Sequence, residues 1–390
     1  MDLRIGVVGL GLRKTLAAQA HRPGRGAQVV AACDTDPASL DWARARFGTD
    51  ILTTSDFTEL LAAQLDAVMV LTPDDTHIDF GVQALSSGVP TLIEKPLAIT
   101  TDDCDRLLRT AHRHGTRLYV GHNMRHMPVV QTMRSLIQDG AIGTVEAIWC
   151  RHFVGHGGDF YFKDWHAERA RSYGLLLQKG AHDIDVIHWL AGSETASVSA
   201  MGKLSVYNQV SDRQAAPGER GPDWFDPEHN WPPLLQTGLH PTVDVEDLSM
   251  MLMQLRNGVQ ASYQQCHYSP DYWRNYTVIG TAGRLENFGD TETAKVRVWN
   301  RKRSGYDYDG DNTVAVPLNT GDHGGADTAL IDEFLRFVSK GGKTDTSPVA
   351  ARDAVAAAVA ATDSLRDGGT LRAVPQLAPD LADYFDNGQI

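Results

Sequence analysis

Three absences narrow the reading of this sequence from the start. Its apolar runs are short, and none approaches the ~18 residues of a membrane span, so no transmembrane helix is expected. Basic residues are outnumbered: 36 Lys and Arg stand against 49 Asp and Glu, a formal net charge of −13. No basic stripe that could track a phosphate backbone is visible, which argues against nucleic acid as a partner. Cysteine is scarce. Cys33, Cys104, Cys150 and Cys266 are scattered, with no Cys-x-x-Cys spacing, so buried reduced thiols are expected in place of a disulfide framework. Repeats and low-complexity tracts are missing too, which excludes solenoids. Met1-Asp2-Leu3-Arg4 has no signal-peptide anatomy, and the expected location is the cytoplasm.

What is present is an ordinary globular composition, 42% hydrophobic and 22% charged, in a chain of 390 residues that exceeds one typical core. Two domains are expected, 1–121 and 122–390. In the first, Arg4–Val8 reads as a strand, Gly9-Leu10-Gly11 as the turn after it, Thr15–Ala20 as a helix and Gln28–Cys33 as a second strand ending at Asp34. Strand, glycine turn, helix, strand, acid is the dinucleotide fingerprint. Gly9 permits the tight turn, Gly11 lets backbone approach a pyrophosphate, and Asp34 can accept hydrogen bonds from the adenosine ribose. Lys14 replaces the third fingerprint glycine. Arg13 and Lys14 either touch phosphate or are solvated.

The alternation continues. Asp66–Leu71 ends at Thr72-Pro73, His77 opens a helical stretch, Pro90–Ile93 delivers Glu94-Lys95-Pro96, and Asp102–Gly115, capped by Thr101, leads into Arg117–Gly121. A doubly wound parallel Rossmann sheet is expected. Its carboxyl edge would hold a nicotinamide dinucleotide with Lys95 near the reactive end. A carboxylate at Asp34 repels a 2′-phosphate, which favours NAD over NADP.

After His122 the rhythm changes. Pro128–Asp139 and Leu175–Leu190 read as helices and Val145–Phe153 as a strand. Leu248–Leu255 and Val259–Gln265 flank the hairpin signal Asn257-Gly258. Tyr276–Gly280 and Lys295–Trp299 add strands, and helices close the chain at Ala326–Ser339 and Val349–Leu365. The second domain is therefore expected to be α+β around a large open, mostly antiparallel sheet, one face of which a second subunit would cover. Residues 207–242, rich in proline and carrying Trp224, Phe225 and Trp231, read as a lid or subunit contact. On a continuous helix Gln178 and His182 share one face, with Asp185 three further on. Histidine is the natural proton acceptor near neutral pH. The pairs His122/His126 and His152/His156 have chelate spacing, but no Cys or Glu completes a set, so no metal is expected.

The glycine turn, Thr72-Pro73 with His77, Glu94-Lys95-Pro96, Val120-Gly121-His122-Asn123-Met124-Arg125, the His182 helix and Ile279-Gly280-Thr281-Ala282-Gly283 together resemble the glucose–fructose oxidoreductase/inositol dehydrogenase/MocA family. The resemblance implies a Rossmann domain, a C-terminal domain whose open sheet serves dimers or tetramers, and NAD(P)-dependent oxidation of a secondary hydroxyl of a sugar, sugar derivative or cyclitol. It implies Lys95 and His182 as catalytic residues. It implies a cofactor site of Gly9, Leu10, Gly11, Leu12, Arg13, Asp34, Thr72, Pro73, His77, Glu94, Lys95 and Asn123. The substrate would meet Asn123, Arg125, Trp165, Gln178, Lys179 and Asp183. One position departs: Gln178 stands where the family often has Asp. An amide carries neither proton nor charge at pH 7, so either Asp183 or Lys179 assists, or the chemistry differs. The family's alternatives are glycoside cleavage by transient oxidation on bound NAD, and a sugar or dinucleotide sensor without turnover.

Overall fold

The computed structural model describes residues 1–216, 226, 228–291, 293–301, 305–317 and 322–389. The chain divides into two compact units. Met1–His126, Gly321–Val355 and Gln376–Ile390 form the first; Met127–Thr320 and Ala356–Pro375 form the second.

The first unit begins with β1 (Leu3–Val8), α1 (Lys14–Ala20), β2 (Ala27–Cys33), α2 (Pro37–Phe47), β3 (Leu52–Thr54), α3 (Phe57–Leu61), β4 (Ala67–Val70), α4 (His77–Ser86), β5 (Thr91–Ile93), α5 (Thr101–His114) and β6 (Leu118–Val120). All six strands are parallel, in the order β3-β2-β1-β4-β5-β6. This is the doubly wound dinucleotide-binding order, whose direction reverses between β1 and β4. The central strands are unbroken apolar runs because helices cover both faces: Val7, Val8 and all of Ala67–Val70 are buried. The cap of α5 lies one residue earlier than expected. Thr100 is extended and its hydroxyl accepts from the Asp103 N–H, while Thr101 is already helical.

The second unit carries α6 (Pro128–Gln138), β7 (Val145–Phe153), α7 (Gly157–Tyr161), α8 (Arg169–Ser172), α9 (Leu175–Gln178), α10 (Gly180–Ala191), β8 (Thr195–Lys203), β9 (Leu248–Leu255), β10 (Gln260–Cys266), β11 (Trp273–Gly280), β12 (Gly283–Phe288), β13 (Lys295–Trp299) and β14 (Asn312–Ala315). The chain closes with α11 (Ala326–Lys340) and α13 (Pro379–Asp386), which belong to the first unit, α12 (Pro348–Arg366), which is shared between the units, and β15 (Arg372–Ala373) of the second. The second sheet has nine strands, ordered β14-β13-β12-β11-β7-β10-β9-β8-β15. Only the β7–β10 pair is parallel among its ladders. Its strands alternate, as one-sided burial requires: Met251 and Met253 are buried while Met250 and Leu252 are exposed. The exposed face is nonetheless apolar in places, with Trp149 and Met201 beside those two.

Two differences from the sequence reading bear on the site. The helix expected over Leu175–Leu190 is two pieces, α9 and α10, that meet at Lys179. And α11 belongs to the first unit: Leu330, Ile331, Phe334, Phe337 and Val338 pack into the same core as Ile5, Val7, Leu16 and Tyr119. Burying four or five such side chains contributes about 1.5–3 kcal/mol each, enough to tie the far end of the chain to the Rossmann sheet. Of the 207–242 segment, Trp224 and Phe225 lie outside the described residues. Tyr207, Val210 and Leu239 pack with Phe162, Leu175 and Val245 in a smaller core of the second unit.

Candidate functional site

The carboxyl edge of the first sheet collects most of the anticipated residues. Gly9 follows β1 with φ +85°, and a Cβ there would come within 2.7 Å of the Thr72 nitrogen. Only glycine lets the turn after β1 press against the end of β4. A Cβ on Gly11 would meet nothing within 4 Å, so the backbone there stands open at the start of α1, where a pyrophosphate is favoured. Asp34 ends β2. One carboxylate oxygen accepts from the Leu10 N–H at 2.7 Å and the other from the Asp36 N–H at 2.9 Å. A carboxylate has about four acceptor positions, so the pair for a ribose diol remains. Leu10 is buried and Leu12 exposed. The open backbone, the anchored acid and the glycine packing fit a bound dinucleotide.

Further along the edge the loops after β4 and β5 are stapled together by His77. Its ring is fully buried, with Nδ1 2.7 Å from the Pro96 carbonyl oxygen and Nε2 2.9 Å from that of Thr72. Burial pushes its pKa down, against the pull of the two carbonyls. Thr72 is held further by the Thr76 hydroxyl, which donates to its Oγ1 at 2.7 Å, and Pro73 caps the short turn that follows. His77 thus acts on the loop backbones, which set the height of Thr72-Pro73 and of the cis peptide Lys95-Pro96.

Glu94 is 4% exposed. Its Oε2 accepts from the Lys95 N–H at 2.6 Å and its Oε1 from Arg13 Nε at 2.6 Å. Gly121 makes room for it: a Cβ there would lie 3.2 Å from Glu94 Cα and from Oε2. Arg13 makes buried ion pairs that the sequence reading did not anticipate. Its guanidinium also forks onto Asp327 of α11, Nη1 to Oδ2 at 2.9 Å and Nη2 to Oδ1 at 3.2 Å. Burial would lower the Arg13 pKa, but Glu94 and Asp327 outweigh it and raise it further. Lys14 instead lies over the Trp42 ring, 4.9 Å from its centroid. Asn123 is 2% exposed, and its Nδ2 donates to Asp327 Oδ1 at 2.6 Å. Arg125 donates to the Asp345 carbonyl at 2.7 Å. Lys95 itself is half-buried.

The remaining candidates belong to the second unit. Gln178 and His182 are both buried, on either side of the Lys179 junction, and Lys179 Nζ lies 5.7 Å from the Tyr161 ring centroid. Trp165 stacks on His166 at 3.8 Å and receives Arg171 on its ring. Asp183 turns to the sheet. It is fully buried, bound by His152 Nδ1 at 3.1 Å and Arg274 Nε at 3.1 Å, with the Tyr276 hydroxyl donating to it closely. Arg274 also pairs with Asp290 at 3.2 Å. Burial alone would raise the Asp183 pKa, but Arg274, His152 and Tyr276 hold it below the usual carboxylate range. His152 is pushed down to about 3, by burial first and Arg274 second. Its tautomer follows from its neighbours: an acceptor-only carboxylate faces Nδ1 and a donor-only guanidinium faces Nε2 at 3.4 Å, so the proton sits on Nδ1. This cluster clamps the start of α10 and so holds His182, the residue before Asp183. Among the described residues no group of His, Cys, Asp or Glu could hold a metal ion.

Strand order, glycine turn and acid define a dinucleotide-binding unit. Residues 3–122 match the family model described as "Oxidoreductase family, NAD-binding Rossmann fold", and residues 130–286 match the GFO/IDH/MocA C-terminal domain. The chain belongs to the glucose–fructose oxidoreductase/inositol dehydrogenase/MocA family of NAD-binding oxidoreductases. It is 24% identical to the putative oxidoreductase YteT of Bacillus subtilis (strain 168), over 90% of each chain. It is 30% identical to inositol 2-dehydrogenase of Ralstonia nicotianae (strain ATCC BAA-1114 / GMI1000) over 52% of this chain and 58% of that one. The fold matches a solved levoglucosan dehydrogenase, in complex with NADH and levoglucosan, with a TM-score of 0.78 and 19% identity over 96% of this chain and 100% of that one.

Proposed function

We propose that the protein oxidises a secondary hydroxyl of a sugar, sugar derivative or cyclitol, with hydride passing to NAD. The observation that carries this reading is Lys95. It leaves the sheet edge directly after a buried Glu94 whose carboxylate is fixed by Arg13 and by the Lys95 N–H itself. NAD supplies the hydride acceptor; the chain's own groups bind, orient and move the proton. In this reading the turn after β1 and Asp34 hold the adenosine end. Lys95 stabilises the developing alkoxide, and His182, held at the start of α10 by the clamped Asp183, accepts the hydroxyl proton. Asn123, Arg125, Trp165, Gln178 and Lys179 are assigned to the substrate side, following the family.

The named relatives, an inositol 2-dehydrogenase and a levoglucosan dehydrogenase, support the substrate class. A screen of cyclitols, aldoses and anhydrosugars, read at the NADH absorbance band, tests it. One observation favours a second reading. Gln178 is a neutral amide where relatives often carry Asp, and a sensor that binds dinucleotide without turnover needs no such acid. Tight NAD binding with no NADH from any polyol in the screen would decide for the sensor. The apolar exposed face around Trp149, Met201, Met250 and Leu252 supports a homodimer or homotetramer, which light scattering measures directly. No helix among the described residues is long and apolar enough to cross a membrane, and cytoplasmic residence is part of the proposal.

A further inference from the structure

We infer that Asp327 is a positioning residue of the dinucleotide site, holding Asn123 so that its Oδ1 accepts the carboxamide N–H2 of the nicotinamide. The inference rests on the reading above that the edge binds NAD, and it adds a residue outside every motif of the sequence, 204 positions after Asn123.

Asp327 stands in the first turn of α11 and is fully buried. Its two oxygens receive three donors: the Arg13 fork and Asn123 Nδ2. A carboxylate only accepts. The amide of Asn123 must therefore turn its N–H2 toward Asp327, which fixes its other end as an acceptor. That acceptor, Asn123 Oδ1, is buried and has no hydrogen-bond partner among the described residues. Buried acceptors are nearly always satisfied, so this one is built for a donor that arrives with a ligand. The carboxamide of a nicotinamide ring brings such a donor, and Glu94, joined to Asp327 through Arg13, lies on the same edge immediately before Lys95. The packing that delivers Asp327 is independent of the site: the apolar stripe of α11 is seated in the Rossmann core.

The test compares three ligands by isothermal titration: NAD, ADP-ribose, which lacks the nicotinamide, and 3-acetylpyridine adenine dinucleotide, in which a methyl replaces the amide N–H2. The expected wild-type result is NAD tighter than the acetylpyridine dinucleotide by about ten-fold. Asp327→Asn offers Asn123 either an oxygen or an N–H2, so it no longer dictates the amide orientation. This variant should lose most of that discrimination while binding ADP-ribose as the wild type does. Asn123→Ala, which leaves Asp327 paired with Arg13, should lose it as well and stands in should Asp327→Asn not fold. Discrimination that persists in Asn123→Ala, or is missing from the wild type, overturns the inference. So does a parallel loss of ADP-ribose in the variants, which marks general damage to the sheet edge. A wild type that binds neither NAD nor ADP-ribose sinks the dinucleotide reading itself, a distinct result.

Discussion

Replacing Asp183 by Asn tests whether this acid serves the fold or the substrate. The carboxylate is fully buried and meets His152, Arg274 and Tyr276. Asn keeps an oxygen for the Tyr276 hydroxyl but presents N–H2 to a histidine nitrogen that carries a proton, and it strips Arg274 of one of its two anions. Breaking a buried pair from one side costs about 3–5 kcal/mol; Asp290 still holds Arg274, so about 2–4 kcal/mol is expected here. For a unit of roughly 200 residues, 1 kcal/mol moves the melting midpoint about 2–4 °C. Calorimetry should therefore show the second unit melting about 5–15 °C lower, with substrate KM little changed in the folded fraction at low temperature. A midpoint moved by less than about 2 °C together with a large rise in KM would refute the reasoning, because the carboxylate would then be acting on the substrate.

The same cluster sets an acid limit. Burial and Arg274 hold the pKa of folded His152 down at about 3, while the unfolded side chain titrates near 6.5. Between these values the unfolded chain binds a proton that the folded one does not, so stability is full above about pH 6.5 and falls as pH drops toward 3; denaturant melts should show about 2 kcal/mol lost between pH 7 and 5 from this residue, less in His152→Gln. Asp183, lowered from its ordinary value, adds a loss only below about pH 4, with the same sign. Lys95→Ala should reduce kcat by about two orders of magnitude or more while NAD Kd stays within a few-fold, because Asp34 and the glycine turn hold the far end of the cofactor; an unchanged kcat removes Lys95 from the mechanism. NAD should bind more tightly than NADP, with Asp34→Ser narrowing the gap; tighter NADP in the wild type would contradict the role given to Asp34.

Much of the candidate site was legible because its chemistry is local. The turn after β1, Asp34 and Glu94-Lys95-Pro96 occupy strand ends, and strand ends are readable from short apolar runs bounded by glycine, proline and acids. Parallel order followed from strand–helix alternation alone. Asp183 was not legible. Every residue from Gly180 to His188 is buried, so polarity around α10 does not mark a substrate side, and adjacent residues point about 100° apart on a helix. One signal at Asp327 could have been used. It falls in the stripe of Ile331, Phe334 and Val338, an acid on the apolar side of a helix, which calls for a buried partner.

The sequence by itself determined the parallel sheet, the dinucleotide edge and the alternating second sheet, since each depends on periodicity and turn chemistry within some thirty residues. Tertiary structure alone decided which charges meet. Arg13 and Asp327 are 314 residues apart in the chain, and they touch because the apolar side of α11 is buried in the Rossmann core. Ion pairs of that kind carry no periodic trace in the sequence. They arise when hydrophobic burial brings distant parts of the chain together and sets buried charges of opposite sign side by side.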